Sequence, residues 1–229
     1  MTKREYVSSV MRRMNELGWD DSYSGAFFGG DSTKVERQVV ACFCDAWRKG
    51  VDALPLSYFN SVSFEDAELF SDVSQGTGFV VLPSDFYILS SFRMRGWKRD
   101  CFAAVEETDA IAAIQSNDFV RGNVYRPVCT LFVHPRYGSI MKYYSVHKGS
   151  RHFVESALYV PLHGGIAGLG DSDDLGLDER LYGPLAWLNA GVVFSVFEKE
   201  EMAKAAFSFI QRKGENLFNG KLIQRKTEN

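Results

Sequence analysis

The chain has 229 residues, 45% apolar and 24% charged, with a formal net charge of -3. Such a composition belongs to a folding chain of one or two domains, and it excludes a global basic field for gripping nucleic acid. No apolar run approaches the roughly 18 residues that span a bilayer, and the opening MTKREYVSSVMRRMNELG has no signal-peptide hydrophobic region, so assembly in a cytoplasm and no membrane contact are expected.

Thr2 and Glu5 form a capping-box pattern, and Tyr6, Val10, Met14 and Leu17 then recur at helical spacing until Gly18. A glycine- and aromatic-bearing loop, WDDSYSGAFFGGDS, follows. Thr33 and Glu36 repeat the capping pattern ahead of a second helix, with Val35, Val39, Cys42, Phe43, Ala46 and Trp47 on one face up to Gly50. VSFEDAELF, residues 62–70, predicts a short helix.

The pattern then changes to short β-rich runs at 78–83, 87–94, 97–106, 126–134, 139–146 and 153–162. Arg95-Gly96 and HPRYG read as turns, the latter with Pro135 and Gly138 placed to reverse the chain. TDAIAAIQSND carries a Thr108 or Asp109 cap and predicts one short helix. Gly183-Pro184 suits the start of a last helical segment running to about 213, with a break near Glu198. Its first half is apolar almost all round and should be buried, with Trp47, Trp187, Leu188 and Phe194 in the core.

The fold class expected is α+β, a helical base built from the N- and C-terminal helices with a β-rich middle insertion. The parts are 1–75, helical; 76–163, β-rich; 164–213, loop and helices; and 214–229, a tail.

The most enzyme-like stretch is HGGIAGLGDSDDLGLDERLYGP, residues 163–184. As a phosphate loop it lacks the lysine, with Asp171 and Ser172 following Gly170, and it lacks the dinucleotide spacing. As a calcium loop from Asp171 it would place Leu175 and Tyr182 where oxygen ligands belong. Solvated aspartates, a mobile joint or an interface loop, and help to the next helix N-terminus from Asp171, Asp173, Asp174 or Asp178 are the expectation. His134, His147, His152 and His163 have no metal-ligand spacing, and Cys42, Cys44, Cys101 and Cys129 read as buried reduced thiols. Glu65, Asp66 and Glu68, or Glu106 and Glu107, are adjacent in sequence and would splay apart. The basic run of Arg93, Arg95, Lys98 and Arg99 around Trp97 fits a solvated hairpin tip as well as a phosphate contact. No catalytic residue, cofactor or metal is assigned.

FVVLPSDFYILSSFRM, RPVCTLFVHP followed by KYYSV, and LYGPLAWLNAGVVFSVFEKEEMAKAAFSFI together resemble the head-to-tail connector (adaptor, ring or neck) proteins of short-tailed, podovirus-type bacteriophages. The matching positions are Leu82, Pro83, Asp85 and Phe86 of an LPxDF turn, Arg126 and Pro127 opening a strand pair, and Pro184, Leu185, Leu188, Glu198 and Ala203 on the late helix. The pattern covers about residues 33 to 212, and a gut-phage relative of the crAss-like kind, with stacked neck rings, is one form of it. The resemblance implies a non-enzymatic virion protein in the neck between portal and tail, a ring of about twelve copies. Its implied partners are the portal, other neck or tail proteins and passing DNA without sequence-specific binding. It also implies that the C-terminal tail reaches the portal, with Leu217, Phe218, Leu222 and Ile223 in pockets and Lys221, Arg225 and Lys226 at the rim. Two other readings remain at this stage: a hydrolase or nucleotide-binding enzyme using the glycine-acid loop, and a small host-directed binding module with a β-rich face.

Overall fold

The computed structural model describes residues 1–18 and 32–210. The chain is α+β and forms two compact units: Ser61–Leu162 is inserted in sequence between Met1–Asn60 and the residues from His163 onward. The expected boundary at 75 therefore moves to 60/61, because the residues up to 72 already contribute strands to the inserted unit.

The helical unit begins with α1 (Lys3–Glu16), closed by the expected capping box: the Glu5 amide donates to Thr2 Oγ1 at 3.3 Å and the Thr2 amide to Glu5 Oε2 at 2.9 Å. Tyr6, Val10 and Met14 are buried as their spacing requires. The second helix is two segments, α2 (Ser32–Ala41) and α3 (Phe43–Ala53), meeting at Cys42, whose own backbone stays right-handed helical. Thr33, expected as the cap, lies inside α2. Next in the unit comes α5 (Glu179–Val196), after the short α4 (Ala110–Ile114) of the inserted unit, and then α6, residues 200–210. Glu198, at φ +56°, makes the break expected there.

Asp178, not the Gly183-Pro184 pair, starts α5, accepting from the Arg180 amide at 2.8 Å. Pro184 falls inside the helix, where its missing N–H cannot serve the Arg180 carbonyl. Packing outweighs that loss, since Leu181, Leu185, Leu188, Val193 and Phe194 are buried on different sides of α5. Trp47, Leu188 and Phe194 are in the core as expected, whereas Trp187 is only half-buried, stacked on Phe209 with ring centroids 4.1 Å apart.

The inserted unit has two sheets. One is three-stranded, ordered β1 (Val62–Ser63), β8 (Val154–Pro161), β4 (Phe86–Met94); the other is five-stranded, ordered β2 (Leu69–Asp72), β3 (Thr77–Val81), β7 (Gly138–Tyr143), β6 (Cys129–His134), β5 (Ala104–Glu106). All neighbours are antiparallel except β5 with β6. One core joins both sheets, with Phe64, Val80, Phe92, Trp97, Met141, Tyr143 and Tyr159 among its members. The helix expected at 62–70 is absent. The Phe64 amide instead donates to the Ala157 carbonyl at 3.0 Å, and sheet pairing overrides the helical propensity of the Glu-Asp-Ala-Glu run. Of the run 97–106 only Ala104–Glu106 is a strand, with Cys101 adding a bridge to Phe92. The short helix α4 (Ala110–Ile114) is capped by Asp109.

Phe194→Ala should lower the unfolding free energy by about 3–5 kcal/mol, because the ring is fully buried in the helical unit. Trp187→Ala should cost clearly less, since part of its ring already faces solvent. Denaturant titration of the two variants checks the order.

Candidate assembly surface

An unusual surface lies in the inserted unit. Among the described residues twelve large hydrophobics are exposed, and seven of them, Phe102, Ile111, Ile114, Phe119, Val120, Tyr125 and Val133, fall between 102 and 133. Phe119 is the extreme at 96% exposure. Isolated exposed apolar side chains are ordinary, but seven within one stretch of sequence make this segment the candidate contact region.

The segment is held in shape by polar anchors beneath it. Arg121, with a side chain only 11% exposed, pairs with Asp118 at 2.9 Å and donates to the Gln75 carbonyl at 2.9 Å. Lys148 reaches Asp118 from the other side at 2.7 Å. Gln115, also buried, donates to the Ile111 carbonyl at 2.8 Å and accepts from the Gly122 amide at 2.9 Å. Ser145, at φ +71°, donates its hydroxyl to the Gly122 carbonyl. The Asn117 side chain accepts from the Phe119 amide at 3.0 Å, fixing the turn from which the phenylalanine projects.

A second feature is the outer face of the five-stranded sheet. Phe70, Phe79, Lys142 and Thr130 stand in register across β2, β3, β7 and β6. Phe70, Phe79 and Lys142 border a cleft of about 660 Å³ that Phe132, Tyr144 and Glu107 also line. The Lys142 ammonium lies 3.8 Å from the Phe132 ring centroid, and Phe70 stacks on Phe79 at 4.6 Å. An outward sheet face is ordinarily polar, so this row of rings is a second place where a partner would gain from burial.

The glycine-acid stretch has a structural role. Its carbonyls take up the free donors at the start of α1: the Lys3 amide donates to Asp173 at 3.0 Å, the Arg4 amide to Asp171 at 3.1 Å, and Lys3 Nζ to Leu169 at 2.6 Å. The N-terminal ammonium pairs with Asp174 at 2.9 Å, and Asp173 accepts from the Gly170 amide at 2.7 Å. The expected variable joint is therefore tied to the chain's own N-terminus. Asp178, capping α5 and paired with Arg180, is held down at about 2 by the arginine and the capped amide.

No group of three or more His, Cys, Asp or Glu able to hold a metal occurs among the described residues, and no helix among them is long and apolar enough to cross a membrane. The histidines serve local structure. His152 Nδ1 meets the Tyr143 hydroxyl at 2.8 Å, and His163 packs against Phe43 and Trp47. Burial lowers both pKa values, with Asp72 partly opposing the shift at His152. Cys42, Cys101 and Cys129 are buried as expected, while Cys44 is half-buried. In the basic run, Arg93 pairs with Asp100 and Glu155, and Trp97 is a core residue.

The positions carrying the connector resemblance are dispersed. Leu82 to Phe86 turn the chain from β3 into β4, with the Phe86 amide donating to the Pro83 carbonyl at 3.0 Å and Asp85 accepting from the Tyr159 hydroxyl at 2.7 Å. Arg126 closes a tight turn with Asn123 just before Pro127 and β6. Pro184 and Leu188 lie on α5. The tail residues Leu217, Phe218, Lys221, Leu222, Ile223, Arg225 and Lys226 lie outside the described residues. No protein-family model matches the sequence, and no curated protein matches it either.

The lowered histidine pKa values fix a pH dependence. Both rings take up a proton less readily in the fold than in the unfolded chain, which protonates near about pH 6.5, so their stabilisation is present above that value and is lost as pH falls below it. The melting temperature should drop between about pH 7 and pH 5, and a His152→Gln/His163→Gln variant should show a flatter profile in the same scan.

Proposed function

We propose that the chain is a structural virion protein, a head-to-tail adaptor that packs as a ring of about twelve copies beneath the portal of a short-tailed bacteriophage and extends the DNA channel. The observation that carries this reading is the concentration of exposed apolar side chains between 102 and 133 on an anchored loop. A free monomer gains nothing from presenting Phe119 to water, whereas a neighbouring copy that covers it converts the exposed ring into contact energy. The order of elements, helices at both ends and a β-rich insertion, agrees with the connector resemblance. A net charge of -3 suits a channel through which DNA passes without being held.

In this reading the β-rich unit supplies the subunit contacts, and the C-terminal tail supplies the anchor on the portal. The role is assembly, with no cofactor and no catalytic step. A second reading, a host-directed binding module, is favoured by the aromatic cleft beside Lys142.

Two measurements separate the readings. Electron microscopy of the protein mixed with its portal should give rings with rotational symmetry near twelvefold. Particles in which the protein stays monomeric overturn the adaptor reading and leave the binding module. Phe119→Ser should keep unfolding free energy within about 0.5 kcal/mol of wild type while weakening self-association by about tenfold or more. Unchanged sedimentation of that variant moves the subunit contact elsewhere.

Deleting residues 215–229 should leave the chain folded and abolish co-sedimentation with portal rings. Unchanged portal binding would show that the docking surface is on the folded body.

A further inference from the structure

Just beyond β4 and just before β8, two guanidiniums share one aromatic ring. The guanidinium carbon of Arg95 lies 4.9 Å from the Phe153 ring centroid and that of Arg151 lies 4.8 Å from it. The backbone there is fixed, with the Arg95 amide donating to the Phe153 carbonyl at 2.9 Å. Both arginines are exposed and the ring is half-buried; Lys98 and Arg99, just after the turn at Gly96, are exposed as well. Other arginines of the inserted unit are neutralised. Arg93 is held by Asp100 at 3.5 Å and by Glu155 at 3.3 Å, and Arg121 by Asp118 at 2.9 Å. Among the described residues no carboxylate pairs with Arg95, Lys98, Arg99 or Arg151.

We propose that Arg95 and Arg151, with the neighbouring Lys98 and Arg99, form a contact surface for the phosphate backbone of nucleic acid. Since each guanidinium carbon is about 5 Å from the same centroid, the two are within about 10 Å of each other, one screening length at 0.1 M salt. Like charges at that spacing repel, and an anion set against both relieves the repulsion while gaining charge-assisted hydrogen bonds. Guanidinium forks match phosphate oxygens, and the Phe153 ring restrains both forks before contact.

A chain of phosphates suits this surface better than a single small anion, because the cations are exposed and spread over two segments instead of converging on one buried point. Duplex DNA carries one negative charge per about 1.7 Å of its axis, so phosphates meet both guanidiniums in any register and no sequence is read. The chain as a whole carries a net charge of -3, so the attraction is local, weak and steeply dependent on salt. It is a property of the folded chain by itself, and it stands or falls separately from ring formation.

The test follows the anisotropy of a fluorescein-labelled DNA duplex as the full chain is added, at salt concentrations from about 25 to about 200 mM. Binding should weaken linearly on logarithmic axes. In Arg95→Gln/Arg151→Gln the slope should fall by about two in magnitude and the affinity at the lowest salt by about tenfold or more. Arg12→Gln/Lys204→Gln removes the same charge from exposed positions of the helical unit and should stay near wild type. Equal losses in the two double variants would trace binding to overall charge and overturn the proposal, as would a wild type without salt-dependent binding. Tighter binding to polyglutamate or to phosphatidylserine vesicles than to the duplex would assign the surface to an acidic protein or a lipid and overturn it too. Should Arg95→Gln/Arg151→Gln fail to fold, photocrosslinking of wild type to a bromodeoxyuridine-bearing duplex decides. Crosslinked peptides from 93–99 or 148–153 support the assignment, and crosslinks confined to other segments refute it.

Discussion

A helix that is apolar on every side has to be covered on every side, and α5 sets that condition for the helical unit. Its cover comes from α1, α2 and α3 and, through Phe207 and Phe209, from α6, so segments early and late in the sequence meet around it. Asn189 is the buried polar side chain of α5. Fully buried, it donates to the Tyr6 hydroxyl at 3.2 Å and to the Val39 carbonyl at 3.1 Å, and Tyr6 in turn donates to the Leu185 carbonyl at 3.3 Å. These bonds hold α1 and α2 in one register on α5, because a slip of either helix would leave a buried amide or hydroxyl without its partner. Val39 lies just before the break at Cys42, where a continuous helix would offer its carbonyl to the Phe43 amide. The close approach of α6 depends on Gly191: a Cβ there would come within 2.4 Å of the Phe207 ring.

Within the inserted unit the corresponding constraint is the passage of the chain between sheets. The LPSDF turn ends β3 in one sheet and begins β4 in the other. Proline presets the turn, Asp85 receives the Tyr159 hydroxyl and its carbonyl receives the Leu162 amide at 2.7 Å, and Phe86 stacks on Tyr159 at 5.5 Å. The short motif thus fixes β3, β4 and β8 together, and burial together with the Asp85 carboxylate pushes the Tyr159 hydroxyl up to about 12.

Periodicity made the amphipathic α1, the apolar α5 and most of the strands readable from sequence, because each presents one pattern to one core. The misreadings share a cause. Residues 62–70 have helical propensity but are taken by backbone pairing with a strand distant in sequence, as the bond from Phe64 to Ala157 demonstrates. Pro184 reads as a helix start, yet Asp178 caps one turn earlier and the packing of α5 tolerates the proline. The glycine-acid stretch reads as a joint because its partners, the amides of Lys3 and Arg4, lie at the other end of the chain. The exposed apolar segment between 102 and 133 was hardest to read. Phe119 looks in sequence like any core phenylalanine, and the only local sign is the Asn117-Asp118 turn chemistry before it.

The anchoring of the 115–122 loop bears on how this surface would bind. A mobile loop that must be ordered on contact loses conformational entropy at that moment, and the loss is subtracted from the contact energy. Here the ordering is completed during folding, by Arg121, Gln115, Ser145 and the pair of charges that hold Asp118. Phe119 is consequently presented on a preformed turn, with two rotatable side-chain angles and little backbone freedom left to lose. Asp118, next to Phe119 in sequence, stays paired with Lys148 at 2.7 Å, so a neighbour covering the ring would gain most from an apolar recess that leaves this ion pair intact.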